Sequence, residues 1–153
     1  SMTKELEPPS TDLVEHLEEM KSIKEESETK VEELEEFTNS IDTFISSLKS
    51  FEVLAKLLHW KTTSFAKHLA LDELVEGLSD LVDTLVETAQ TERQLDIKVL
   101  ETKIECSELE HVKEMLEYVR TNRSVFPYSF QQNHLDEIDS ILSKTIYKLN
   151  FLH

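Results

Sequence analysis

Apolar positions recur every three or four residues along most of the chain, the period of a helix with one buried face. The clearest run is Phe37, Ile41, Phe44, Leu48, Phe51, Ala55 and Leu58, which predicts a helix over about residues 38–61. A second run, Leu71, Leu74, Leu78, Leu81 and Leu85, predicts a helix over about 64–90, with Ser64 placed to cap it. Only Thr62-Thr63-Ser64 separates the two, and so short a turn makes them an antiparallel pair.

Past Gln90 the period changes. In "QLDIKVLETKIECS" the apolar residues Leu95, Ile97 and Val99 stand two apart, which is strand spacing. An extended crossover over 91–106 would reach about 50 Å at roughly 3.3 Å per residue. The preceding helix is only about 40 Å long at 1.5 Å per residue. The connection can therefore travel the length of a bundle and start the next helix at its far end. One long helix through this stretch is the alternative. Ser107-x-x-Glu110 then forms a capping-box pattern before Leu109, Val112, Met115, Leu116 and Val119, predicting a helix over about 108–122. "SVFPYSF" reads as a turn with aromatic anchors. A last helix follows over about 131–150, with Leu135, Ile138, Ile141, Leu142, Ile146, Leu149 and Tyr147 facing inward.

The N-terminal part is weaker. Ser1-Met2 reads as a tag remnant, and residues 1–9, ending in Pro8-Pro9, read as a disordered tail. Thr11 or Asp12 can cap a helix continuing to about Leu34, its stripe Leu13, Leu17, Met20, Val31 and Leu34 broken by Lys24 and Ser27. Residues 10–35 are thus an acidic accessory helix, either a coiled-coil arm or a solvated extension, and residues 36–152 are the bundle.

Composition supports an all-α chain, with one Gly and three Pro in 153 residues. The formal charge of −16 disfavours duplex DNA and anionic membranes as partners, and favours cations. The lone Cys106 permits no internal disulfide, and a reducing interior, the cytoplasm, is the expected setting. No apolar run approaches a membrane span. Glycine-rich phosphate loops, catalytic triads and zinc-type cysteine clusters are missing from the sequence.

The second helix carries the candidate chemistry. His68, Asp72, Asp83 and Glu87 fall within an arc of about 100° beside the leucine seam. Imidazole and carboxylate donors suit iron, manganese or zinc. One helix cannot close such a site: Asp72 and Asp83 stand about 16 Å apart along the axis, and a metal bond spans about 2 Å. The pairs His68/Asp72 and Asp83/Glu87 share one midpoint, between Gly77 and Leu78. Two copies of the helix crossing antiparallel there would bring each half-site against its complement and generate two equivalent centres. Small Ser79 would then face Glu76 and ease the crossing. His59 ends the first bundle helix and can approach His68 across the turn. In a chain with 32 acidic residues, a solvated flank gives the same spacing. Trp60 beside it reads as a packing residue. Elsewhere, Glu108-x-x-His111 reads as a surface pair or half of a bundle-core metal site. His134 with Glu137 reads as a helix-start contact, His16 as exposed and Cys106 as an inert thiol.

"LLHWKTTSFAKHLALDELVEGLSDLVDTLVE" resembles the mini-ferritins, the Dps-type proteins. Their signature is a His-Trp pair followed by a helix bearing His, an acid four residues on, an Asp eleven further and a Glu four beyond. Here these are His59-Trp60, His68, Asp72, Asp83 and Glu87. The resemblance implies a ferritin-like four-helix bundle. It also implies that these five residues bind iron at a ferroxidase centre shared across a homodimer, within a dimer or larger assembly. The turn between the two histidines is about three residues shorter here, and the basic DNA-binding tail of some members is missing. Residues 45–152 are similar also to ferritin-like proteins of tailed phages and large DNA viruses, through "SFAKH" and "KTIYKLNFL". That implies host cytoplasm or virion as a setting. The contrasting expectation is a non-enzymatic helical adaptor or virion-associated protein that keeps the bundle without metal chemistry.

Overall fold

In the computed structural model, residues 11–152 are described, the side chains of 33–39 excepted. The expected tail over 1–9 and the seam positions Leu34 and Phe37 lie outside these. The elements are α1 (Thr11–Lys61), α2 (Phe65–Ala89), α3 (Glu108–Asn122), a 3-10 turn (Arg123–Val125) and α4 (Ser129–Phe151). The chain is all-α, and no strand occurs among the described residues. One boundary differs from expectation: α1 runs without a break where two helices were predicted to meet near 35–38. No Pro or Gly stands between residues 11 and 61 to end it, and the polar gap in the stripe costs a helix packing, not hydrogen bonds.

Two compact units divide the chain, Ser1–Thr38 and Asn39–His153. In the first, residues 11–32 are exposed throughout, Leu13, Leu17 and Met20 included. Local contacts such as Lys24 to Glu28 decorate it.

In the second unit, the predicted seams pack together. Phe44, Leu48, Leu71, Leu74, Leu78, Leu85, Val112, Val119, Leu135, Ile138 and Leu142 are fully buried. Burying each such leucine contributes about 1.5–3 kcal/mol. Leu81 is only partly buried, and Val82 takes the inward place. Tyr147, expected inside, is 67% exposed and packs on Phe151 instead. Phe44 joins α1 to α3 and to the following turn, through Tyr118 at 5.6 Å and an edge-on Phe126 at 5.0 Å. The α2 and α4 helices run antiparallel, with Glu73 paired to Lys148 and Gly77 against Ile141. A Cβ on Gly77 would lie 2.2 Å from Ile141 Cδ1, so any larger residue there requires the tip of that side chain to move.

After a turn at residues 91–93, the connection runs without helix from 94 to 105, in line with its two-residue spacing. It runs parallel to α1 on its outer side. The backbone N–H of Asp96 donates to Asp42 Oδ2 at 3.1 Å, and that of Lys98 to Ser46 Oγ at 2.9 Å. Two extended residues advance about 6.6 Å and four helical residues about 6 Å, so the register holds along the helix. Arg93 closes the start of the strap with a forked pair of bonds to Asp42, at 2.6 and 3.3 Å. The strap carries the chain back to the far end, so α3 runs parallel to α2 and antiparallel to α1.

Salt links tie α3 and its turn to α4: Arg120 to Asp139 at 2.7 Å and Arg123 to Asp136 at 2.6 Å. The Arg120 hydrogen bond holds the Asp139 carboxyl below its ordinary value; partial burial opposes this and the Ser143 hydroxyl assists.

Two outcomes follow. Asp42→Ala removes the acceptor shared by Arg93 and the Asp96 amide, and should cost roughly 1–3 kcal/mol. Amide exchange should accelerate at Asp96 while the core of α2 stays protected; an unchanged Asp96 rate would contradict the strap's anchoring. The Asp139 group, with its lowered folded value, stabilises the chain above about pH 4. That contribution, below ~1 kcal/mol for so exposed a pair, is lost as pH falls through the lowered value. Urea midpoints of the chain and of Asp139→Asn should therefore differ at pH 7 and converge in acid.

Candidate metal centre

The α1–α2 turn is short because its own side chains complete it. Thr62 N–H returns to the Leu58 carbonyl at 3.0 Å, and Thr62 Oγ1 accepts from Ser64 N–H at 3.3 Å. Ser64 then caps α2, its hydroxyl accepting from Lys67 N–H at 3.3 Å. This places His59, in the last turn of α1, beside His68, in the first turn of α2. The two rings stack with centroids 3.7 Å apart and planes 24° apart. Each Nδ1 lies 2.8 Å from the backbone carbonyl oxygen of the other residue.

A carbonyl oxygen only accepts, so each Nδ1 carries a hydrogen and donates it. In a neutral imidazole the lone pair is then on Nε2. The reason for the pairing is local. The last carbonyls of a helix have no intrahelical partner, and His59 is two residues before the end of α1. His68 supplies the missing donor, and the His59 ring returns the bond. Histidines that bind metals are usually oriented in this way, by a hydrogen bond from the other ring nitrogen to a carbonyl or carboxylate.

His59 is 6% exposed, and its Nε2 is 3.7 Å from Asp72 Oδ1. His59, His68 and Asp72 thus gather at one end of α2. Asp83 and Glu87 stand at the other end. Both are exposed, at the mouth of an apolar cleft of about 300 Å³ formed with Ile45, Val82, Val86 and Ile97. One chain sets His59 against both His68 and Asp72, without closing all three donors to within 4.8 Å of one another, and leaves Asp83 about 16 Å further along the axis. Trp60, expected to pack, is 66% exposed, with Lys56 Nζ 6.0 Å from its ring centre.

A second cluster was not predicted. One donor atom each of Cys106, His111 and Glu114 lies within 4.8 Å of the others, where α3 begins. His111 is 7% exposed, so it is not the surface residue expected from the Glu108-x-x-His111 pair, and its clustered acid is Glu114. Its Nε2 accepts the backbone N–H of Glu105 at 3.2 Å and of Cys106 at 3.4 Å. The signal available in sequence was Cys-x4-His-x2-Glu across a helix start, which is not a familiar ligand pattern. Burial, then Glu114, Glu110 and Glu105, push the Cys106 thiol up from its ordinary value. His134 meets Glu137 at 3.9 Å and His16 is exposed, both as expected.

The stacked pair has a direct spectroscopic consequence. Long-range proton–nitrogen correlations should report the neutral rings of His59 and His68 as Nδ1–H tautomers. An Nε2–H tautomer for either ring would overturn the reciprocal arrangement.

No helix among the described residues is long and apolar enough to cross a membrane. No curated protein and no solved structure matches the chain. A family model does match, over residues 59–149, a span that opens on His59 and takes in every candidate ligand named above. That span is more than half of the chain, which therefore belongs to the family of unknown function DUF5856.

Proposed function

We propose that the chain is a ferritin-like metal-binding protein that takes up Fe(II), with manganese and zinc as alternative ions, between two copies of itself. His59, His68 and Asp72 of one copy would hold the ion with Asp83 and Glu87 of its mate. Each Fe(II) would give one electron to dioxygen and become Fe(III). The observation that carries this reading is the reciprocal His59–His68 bonding, which commits both Nδ1 hydrogens and leaves the Nε2 lone pairs for a cation. The helix order, two antiparallel pairs joined by a long crossover, is the connection that ferritin-like bundles use. It supports the resemblance seen in the His-Trp and ligand spacing.

The dimer geometry draws further support from the surface of α2. Leu69 is 48% exposed. About the midpoint between Gly77 and Leu78, it stands opposite Val86, which lines the apolar cleft beside Asp83 and Glu87. A second copy would insert Leu69 into that cleft and bring His68 and Asp72 to the two carboxylates.

The non-enzymatic alternative, a helical adaptor or virion-associated protein, is favoured by one observation. Residues 11–32 form an exposed acidic helix.

Complementation in trans tests the shared site. Anaerobic Fe(II) loading followed by air should give oxidation in the wild-type chain and little in His68→Ala or Asp83→Ala alone. Co-expressed, the two variants form mixed dimers in which one centre is whole and the other doubly broken. Random pairing then restores about one quarter of the wild-type rate. A mixture as inactive as its components would refute a shared centre, and a wild-type chain that binds no iron would leave the adaptor reading. Light scattering should find a dimer or larger assembly; a monomer with and without metal would also remove the shared centre.

A further inference from the structure

We propose that Cys106, His111 and Glu114 form a second, independent cation site, selective for a borderline-soft divalent ion such as Zn(II), at the joint between the crossover and α3. It lies on the opposite side of the sequence from the α2 ligands and needs no second copy. Three kinds of observation carry it.

The first is proximity of mixed donors. One sulfur, one imidazole nitrogen and one carboxylate oxygen lie within 4.8 Å of one another, and they form the one such group of three among the described residues. Ligands about 2.0–2.3 Å from a shared zinc ion are separated by distances of this order once the ion draws them in. A sulfur–nitrogen–oxygen set suits zinc better than magnesium or calcium, which prefer oxygen alone.

The second is how the ligands are held. Glu114 follows His111 by three residues, one turn along α3, so the helix presents both on one face. Cys106 is just ahead of Ser107, whose hydroxyl caps α3 by accepting Glu110 N–H at 3.2 Å. The cap therefore fixes where the cysteine enters. His111 is almost wholly buried, so packing limits where its ring can turn.

The third is space. A cleft of about 490 Å³ opens beside His111 and Glu114, lined also by Leu54, Glu101, Thr102, Lys103 and Glu105, so two further carboxylates face it with one ammonium. A fourth coordination position would face this cleft, where water or a carboxylate such as Glu105 can reach it. Three protein ligands with one open position is an arrangement zinc commonly adopts.

Cation binding here has a structural consequence. A neutral imidazole has one lone pair, and the His111 Nε2 currently receives two amide hydrogens, from Glu105 and Cys106. A coordinated ion takes that lone pair and displaces the two amides. The end of the crossover must then adjust, so the site would couple divalent cation concentration to how the strap joins α3.

Cobalt(II), the spectroscopic substitute for zinc, tests this on the full chain after chelator treatment. One equivalent should produce thiolate-to-cobalt charge-transfer absorption, and added Zn(II) should abolish it. Cys106→Ser, nearly isosteric, should remove the band; Glu114→Gln, on an exposed residue, should weaken affinity tenfold or more. His68→Ala with Asp83→Ala should leave the band intact, which separates this site from the one proposed on α2. Amide resonances of Glu105 and Cys106 should move on titration. A missing charge-transfer band, or a band that persists in Cys106→Ser, would overturn the proposal, and circular dichroism of each variant would show that the helices remain.

Discussion

The reciprocal hydrogen bonds between His59 and His68 are the interaction on which the α1–α2 hairpin depends. They close a turn of three residues by giving orphan backbone oxygen a partner, and so hold α1 and α2 as a hairpin. The same two bonds settle the tautomer of each ring and turn the other nitrogen, a lone-pair donor, away from the backbone. Under the proposed function, a structural device and a ligand-orienting device are here one device. Asp72, one helical turn beyond His68, falls next to His59 as a result.

The opposite end of the molecule is organised by a different constraint. An extended connection cannot satisfy its own amide groups, and 94–105 lies along a helix with no strand beside it. Asp42 and Ser46, one turn apart on α1, accept two of those amides, and Arg93 neutralises the carboxylate it shares. The near match between two extended residues and one helical turn allows this register. Because the strap runs beside the bundle part of α1, from Asp42 toward Leu54, α3 starts at the far end of the bundle and lies parallel to α2. This connection also creates the joint at Cys106 and His111, where the extended chain must bend into a capped helix.

Much of this was legible from periodicity. The bounds of α2 and α3 follow their caps at Ser64 and Ser107, and the extended crossover follows the two-residue spacing of Leu95, Ile97 and Val99. Leu71, Leu74, Leu78 and Leu85 are buried as their spacing requires. Some failures occurred where a residue's environment is set by neighbours distant in sequence. Trp60 stands in the last turn of α1, where packing against other helices decides its exposure, while helical spacing alone sets Tyr147 about 160° from the Leu135, Ile138 and Leu142 face of α4. The expected break near residue 35 had no stop signal behind it, only a fading stripe. His111 was paired with Glu108 on sequence pattern, while the fold turns it toward Cys106 and Glu114.

The helices, their inward faces and the arc holding His68, Asp72, Asp83 and Glu87 were determined by the sequence itself, because helical geometry is local and repeats every 3.6 residues. Periodicity likewise showed that one copy cannot gather those four residues, since the axial rise separates them. Tertiary structure alone decided that His59 stacks on His68 and that His111 reaches Cys106. Both contacts cross a change of chain direction, and the torsions of a turn or a strap end follow from which backbone groups lack partners after the helices have packed.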